Sequence, residues 1–244
     1  MSYRVVYQDI GLKEYKETWE YQERIFRNLV NEKSDSPDTS SRENDLYRPG
    51  YLIFVEHPHV YTLGKSGSES NLLIDRIQLL AKDAEFFRTD RGGDITYHGP
   101  GQIVGYPLFD LEKMGLSLKG YIYGLEEAVI KTISALGLKG SRLPGATGVW
   151  LDPDKPGIIR KICAIGVKAS RYITMHGFAF NVNTDLSYFS YINPCGFTDK
   201  GVTSLELELG EKQDFGNLKQ LMRDNLQSVF GLKFINQDGK EMGD

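Results

Sequence analysis

Met175-His176-Gly177-Phe178-Ala179-Phe180-Asn181-Val182 alternates small and bulky residues with a period of two. Successive side chains of a strand point to opposite faces, so Gly177 and Ala179 share one face and Phe178 and Phe180 the other. Upstream, Ile158 to Lys168 reads as a second strand that carries charges within an apolar run. In a regular strand Lys161, Cys163 and Ile165 fall on one face. A lysine there is either a snorkelling surface residue or one that is paired or useful, since an unpaired buried ammonium costs free energy. Downstream lies Asn193-Pro194-Cys195-Gly196-Phe197, a cysteine between a residue that fixes φ and one that permits a sharp backbone. Such a thiol sits either in an inert turn or on a rigid one that presents it as a nucleophile.

The rest of the chain alternates strand and helix signals. Arg4 to Ile10 reads as a strand, and Lys13 to Val30 as a helix with Tyr15, Trp19, Phe26 and Val30 on one packing face. Asn31 to Gly50 is rich in Ser, Asp, Glu and Pro and reads as a mobile surface loop. Tyr51 to Glu56 is a buried strand, His57 and His59 read as structural histidines, and Ile74 to Phe86 as a helix. Arg91-Gly92-Gly93-Asp94-Ile95-Thr96-Tyr97-His98-Gly99-Pro100-Gly101-Gln102 is a glycine-rich loop, either a complex turn or a place where a substrate approaches the backbone. It lacks the Lys-Ser/Thr ending of a P-loop and the GxGxxG spacing. Ile103 to Leu111 follows as a strand, Ser117 caps a helix that Gly137 closes, Thr147 to Leu151 is a strand, and Asp214 caps a last helix.

With 244 residues and 40% hydrophobic content the chain can bury a real core. A net charge of −4 argues against bulk nucleic-acid binding. No apolar run reaches the ~20 residues of a spanning helix, and Met1-Ser2-Tyr3-Arg4 lacks a signal-peptide pattern. Two cysteines, Cys163 and Cys195, make neither a disulfide framework nor a metal-type spacing, so a reducing, cytoplasmic compartment is expected, with no metal.

Taken in order, Arg91-Gly92-Gly93, Tyr97-His98-Gly99-Pro100-Gly101-Gln102, Lys161-Ile162 with Ala164-Ile165-Gly166, His176 to Asn183, and Asn193-Pro194-Cys195-Gly196 with Val202-Thr203-Ser204-Leu205 resemble the octanoyltransferases of lipoate biosynthesis, also called lipoate-protein ligase B. The resemblance covers Tyr51 to Leu209. It implies an α+β fold shared with lipoate and biotin protein ligases, a mixed β-sheet with packed helices, as one catalytic domain over 1–244. It further implies transfer of an octanoyl group from acyl carrier protein to a lysine of a lipoyl domain, in 2-oxoacid dehydrogenase complexes or the glycine cleavage H protein, by a monomer without a cofactor. Cys195 then looks like the acyl-accepting nucleophile and Lys161 the partner that lowers its pKa. Arg91, Gly92, Gly93, Asp94, Ile95, Thr96, Tyr97 and His98, with Ala164, Ile165, Gly166, Gly177, Phe178 and Ala179, match the substrate-binding segments. Asp94 and Phe178 depart from the usual Gln and Leu; the first adds a negative charge beside the acyl site and the second is expected to narrow the slot. Arg88, Arg91, Arg142, Lys168 and Arg171 are candidate docking cations for an acidic carrier. Two rivals are an ATP-using ligase on the same fold and a non-catalytic acyl-binding module.

Overall fold

The computed structural model describes residues 2–34, 48–193 and 200–236, with 238 and 240. Strand β1 (Tyr3–Leu12) leads into helix α1 (Tyr15–Ser34), then β2 (Gly50–Glu56) and β3 (Val60–Leu63). A short helix α2 (Arg76–Leu80) precedes β4 (Glu85–Arg88), β5 (Ile95–His98) and β6 (Gln102–Leu108). Helix α3 (Leu118–Ser134) is followed by β7 (Ser141–Leu143), β8 (Ala146–Leu151), β9 (Arg160–Ser170) and β10 (Ile173–Asn181). The described chain ends with β11 (Gly201–Val202), α4 (Leu205–Leu209), α5 (Phe215–Phe230) and β12 (Leu232–Ile235).

The large sheet runs β12-β1-β2-β6-β10-β9-β8-β7, with β11 parallel to β9; a small sheet runs β4-β3-β5. β1 is parallel to both neighbours, and the strands from β2 to β7 are antiparallel. Strands β9 and β10 meet in a two-residue turn, Arg171-Tyr172, both with positive φ (48° and 65°). That is the geometry whose twist suits a tight hairpin, reached here without glycine.

The alternation of β10 builds two layers. Phe178 and Phe180 pair with Ile165 and Cys163 and enter a core with Phe54, Leu125, Val129 and Met222 beneath α3 and α5. Ala179 faces the opposite layer, where Ile25 and Phe26 of α1 pack on Val55, Val104, Tyr106 and Met175. A fully buried side chain of this kind stabilises by about 1.5–3 kcal/mol. Gly105 belongs to this design, because a methyl group there would overlap the Phe178 ring. Phe178 is thus seated edge-on to Phe54 at 6.1 Å within this core.

Ser117 and Asp214 cap α3 and α5 as expected, accepting from Gly120 and Asn217 N–H groups; α3 ends at Ser134, before Gly137. Three readings need correction. Helix α1 extends to Ser34, so residues 31–34 are helical and Gly50 opens β2, while 35–47 of the expected mobile loop lie outside the described residues. The helix expected over Ile74 to Phe86 stops at Leu80 and gives way to β4; its Asp75-Gln78 capping box starts it, and Asp83 turns the chain with φ 50°. The glycine-rich stretch contains a strand, since Ile95–His98 is β5, paired with β3.

Candidate functional site

A cavity of about 390 Å³ lies between the α1 face of the large sheet and the segment 91–98 of the small one. Its floor comes in rows set by register. Gln102 pairs with Asn181, Val104 with Ala179 and Ala179 with Ala164, while Gly166 pairs with Gly177 at the end near Tyr106. The middle row is therefore small and apolar, and both ends are polar.

Lys161 enters this cavity through a defect in pairing. Val149 pairs with Cys163 and Trp150 with Lys161, so β8 advances one residue while β9 advances two, and Ile162 is the extra one. A bulge of this kind re-aims side chains. Ile162 and Cys163 both enter the α3 core, and Lys161 lines the cavity with Ala164. The expected common face for Lys161, Cys163 and Ile165 is thus wrong for the lysine. Its Nζ stands 4.5 Å from the Trp150 ring centroid, and its stem runs over Gly148, where a methyl group would stand 2.5 Å from the Cys163 carbonyl and 3.5 Å from Lys161 Cδ. Cys163 is fully buried, and burial pushes its thiol well up, with Lys161 only partly opposing this. Cys195 lies outside the described residues. The flanks of its segment are described: Asn193 N–H donates to the Asn71 carbonyl at 2.8 Å, and Lys200, Gly201 and Val202 line the cavity, with Val202 paired to Lys161 in β11.

A buried hydrogen-bond chain spans the site, and its direction is fixed at every link. Arg91 Nη2 donates to the Thr62 carbonyl (2.6 Å) and to Thr62 Oγ1 (3.0 Å). Thr62 can then give its only proton to His98 Nε2 (3.3 Å), and His98 Nδ1 donates to Gln102 Oε1 (2.8 Å). Gln102 Nε2 donates to Asn181 Oδ1 (2.8 Å), and Asn181 Nδ2 to the Thr203 carbonyl (3.0 Å). Thr203 N–H closes the chain on the Lys161 carbonyl at 2.9 Å. Nearby, His57 joins the Lys13 carbonyl (2.7 Å) and Tyr106 hydroxyl (2.8 Å), and His59 the Tyr97 hydroxyl (2.7 Å), so both histidines are satisfied structurally.

Burial lowers His57 to about 4; burial, then the His57 charge, lowers His98 to about 3. A folded-state pKa below the unfolded value gives stability that is complete above the unfolded pKa and is lost as pH falls toward the folded one. For two histidines with an unfolded pKa near ~6.5, stability should fall by about 4 kcal/mol between pH 7 and pH 5. Urea unfolding across that range checks this, and a flat profile would mean that the two rings take up protons as readily in the folded protein as in the unfolded chain.

Of the residues expected to bind substrate, Arg91, Gly93, Asp94, Ile95, Thr96, His98, Ala164, Ile165, Gly166, Gly177, Phe178 and Ala179 line the cavity. Gly92 and Tyr97 do not: Gly92 N–H bonds Val167 of β9, and Tyr97 is buried against Tyr188 and His59. Asp94 is engaged by Asn71 Nδ2 (2.6 Å) and the Ile95 N–H (2.7 Å). The docking cations are mostly committed. Arg91 is buried, Arg142 pairs with Glu126 and Glu127, Lys168 with Asp90 and Arg88 with Glu69, leaving Arg171 exposed at the β9-β10 turn. Tyr15, Tyr106, Trp150 and His176 are lining residues that sequence reasoning did not assign; the positive φ of His176 (59°) within β10 is visible only in the structure.

Solved structures of similar shape are lipoate ligases. The chain superposes on a bipartite lipoate protein ligase from Thermoplasma acidophilum with a TM-score of 0.67 at 14% identity, covering 97% of this chain and 87% of that one. A lipoate-protein ligase A bound with ATP gives 0.66 at 13% identity, covering 97% and 89%. These likenesses establish the fold class, the α+β fold of the lipoate protein ligases with helices packed on a large mixed sheet. Residues 14–227 match the lipoyl protein ligase A/B catalytic domain profile. Octanoyltransferases from Parabacteroides distasonis (56% identical, 92% of this chain and 96% of the relative) and Christiangramia forsetii (52%, 94% and 97%) align along nearly their whole length. The chain belongs to the lipoyl protein ligase A/B catalytic domain family, among its octanoyltransferases. Among the described residues no helix is long and apolar enough to cross a membrane.

Proposed function

We propose that this chain moves an octanoyl group from acyl carrier protein to the ε-amine of a lysine on a lipoyl domain, through a thioester on Cys195. The acceptors would be the lipoyl domains of 2-oxoacid dehydrogenase complexes and the glycine cleavage H protein, and the chain would act as a cytoplasmic monomer, one catalytic domain. The observation that carries this reading is Lys161, turned by a bulge into an apolar-floored cavity beside β11, the strand by which the chain returns from the Cys195 segment.

The chemistry follows from the residue types. An ammonium near a thiol favours the thiolate and lowers a pKa that is otherwise near ~8.5. The Cys195 thiolate adds to the donor thioester carbonyl, and the carrier thiolate leaves and takes the proton of the Lys161 ammonium, which becomes the neutral amine. The neutral acceptor amine then adds to the enzyme thioester, the Cys195 sulfur leaves, and Lys161 in its neutral form takes the amine proton. The middle row Val104, Ala179, Ala164 suits the methylenes. Six of them, at roughly 0.8 kcal/mol each, contribute on the order of 5 kcal/mol before ordering costs.

Mixing the protein with octanoyl carrier protein, without ATP, should add one octanoyl mass to the peptide bearing Cys195. Cys195→Ser should abolish the adduct and Cys163→Ala retain it, in line with the sealed Cys163 thiol. An adduct that persists in Cys195→Ser would sink the nucleophile assignment, and an ATP requirement would favour the ligase chemistry.

A further inference from the structure

The three floor rows, from Gln102 and Asn181 to Tyr106 and Gly177, span four residues of strand, about 13 Å at ~3.3 Å per residue. Three bonds of an extended chain cover ~3.6 Å, so the seven carbon-carbon bonds of an octanoyl group cover about 8 Å. A chain whose thioester lies over the first row ends between the second and third rows, and whatever fills the third row sets its length.

Tyr106 belongs to that row, and Arg91, His176 and Tyr15 line the cavity with it, Tyr15 meeting it through His57, which joins the Tyr106 hydroxyl. Arg91 lies over Gly166, its Cδ 3.2 Å from where a methyl group would stand, and its guanidinium is tied to Thr62 and Gly92. His176 Nε2 is held by Asp90 at 2.9 Å, and the Tyr106 hydroxyl by His57. Trimming any of these three strands a buried polar partner. Tyr15 differs. It comes from the first turn of α1, is 2% exposed, and is clamped by stacking on Phe87 (5.5 Å) and His98 (5.9 Å) and edge-on to His57 (5.3 Å). Its hydroxyl makes no hydrogen bond among the described residues, so what it supplies is ring volume.

We propose that the Tyr15 ring is the end stop of the acyl slot and sets the chain length the enzyme accepts. The inference rests on the acyl-transfer reading above. It explains why α1, outside the glycine-rich and cysteine segments, lines the cavity.

Acyl-enzyme formation is measured with hexanoyl, octanoyl, decanoyl and dodecanoyl carrier protein, and melting temperature is followed in parallel. Tyr15→Val should raise the dodecanoyl-to-octanoyl rate ratio at least tenfold, Tyr15→Leu by less, and Tyr15→Phe should leave it within twofold of the parent. Tyr15→Trp, which adds bulk, should shift preference toward hexanoyl. Should Tyr15→Val fail to fold, the Leu and Trp variants decide through their opposite shifts. Unchanged ratios in folded Leu and Trp variants overturn the end stop, and so does a Tyr15→Phe shift as large as that of Tyr15→Leu. If the parent forms no acyl-enzyme at all, the acyl-transfer reading fails. Calorimetric affinities for octanoate, decanoate and dodecanoate then judge Tyr15 alone, with the same tenfold and twofold criteria.

Discussion

Lys161→Ala should slow acyl-enzyme formation at Cys195 at least tenfold and raise the midpoint of Cys195 alkylation against pH by about a unit, because under the proposed mechanism the ammonium that favours the thiolate is gone. The second half-reaction should slow as well, since the acceptor amine, with an ordinary pKa near ~10.4, loses the base that would take its proton. Lys161→Arg separates these two effects. Arginine keeps the charge but is not deprotonated in proteins, so this variant should still form acyl-enzyme and pass it poorly to a lipoyl domain. Rapid-quench mass spectrometry of each half-reaction provides the measurement. Equal impairment of both steps in Lys161→Arg would refute the dual role, and an unchanged alkylation profile in Lys161→Ala would remove the electrostatic one.

Asn181→Asp should be nearly as damaging for a different reason. The new carboxyl fits the space and can still accept from Gln102 Nε2, but it faces the Thr203 carbonyl where an N–H donated. Two acceptors in contact and a buried charge should cost about 2–4 kcal/mol at pH 8. The carboxylic acid form, by contrast, can donate to that carbonyl, which raises the folded-state pKa of the new group. Its favourable contribution is therefore present below the unfolded pKa and is lost as pH rises through the folded one. The stability gap between variant and parent, from urea unfolding at matched pH, should narrow from pH 8 to pH 5. Because Thr203 N–H holds the Lys161 carbonyl, acylation should recover along with it. A gap independent of pH would mean that the amide orientation assigned to Asn181 is wrong.

Sequence periodicity carried the large sheet well, because β6, β8, β9 and β10 alternate or run apolar over lengths a strand needs, and Ser117 and Asp214 announce their helices by the caps they form. The residues 74–86 misled for a local reason: apolar residues at helical spacing continue past Leu80, while Asp83 in the left-handed region ends the helix. Most residues of the segments expected from their motifs to bind substrate line one cavity. Lys161 drew notice as a charge in a strand, yet the bulge at Ile162 that separates it from Cys163 has no marker in the residues themselves. The commitment of Arg142, Lys168 and Arg88 to carboxylates, and the arrival of Tyr15 against His98, depend on elements distant in sequence. Composition and spacing contain no such information.

The placement of β1 bears on how the chain reaches this structure. Val5 sits between Gly50 on one side and Phe234 on the other, both in parallel pairs, so the strand that opens the described chain is completed by the one near its end. Closing so long a loop costs conformational entropy that grows with the logarithm of its length, and non-local parallel pairing of this kind is slow. At synthesis rates of ~5–20 residues per second, β1 waits about 10–45 s on the ribosome for β12 to be made. During that interval Tyr3-Arg4-Val5-Val6-Tyr7 offers an unpaired, partly apolar edge. Nascent chains of this protein are thus most exposed to aggregation between the emergence of β2 and the docking of β12, and slowed translation of the last third lengthens that window.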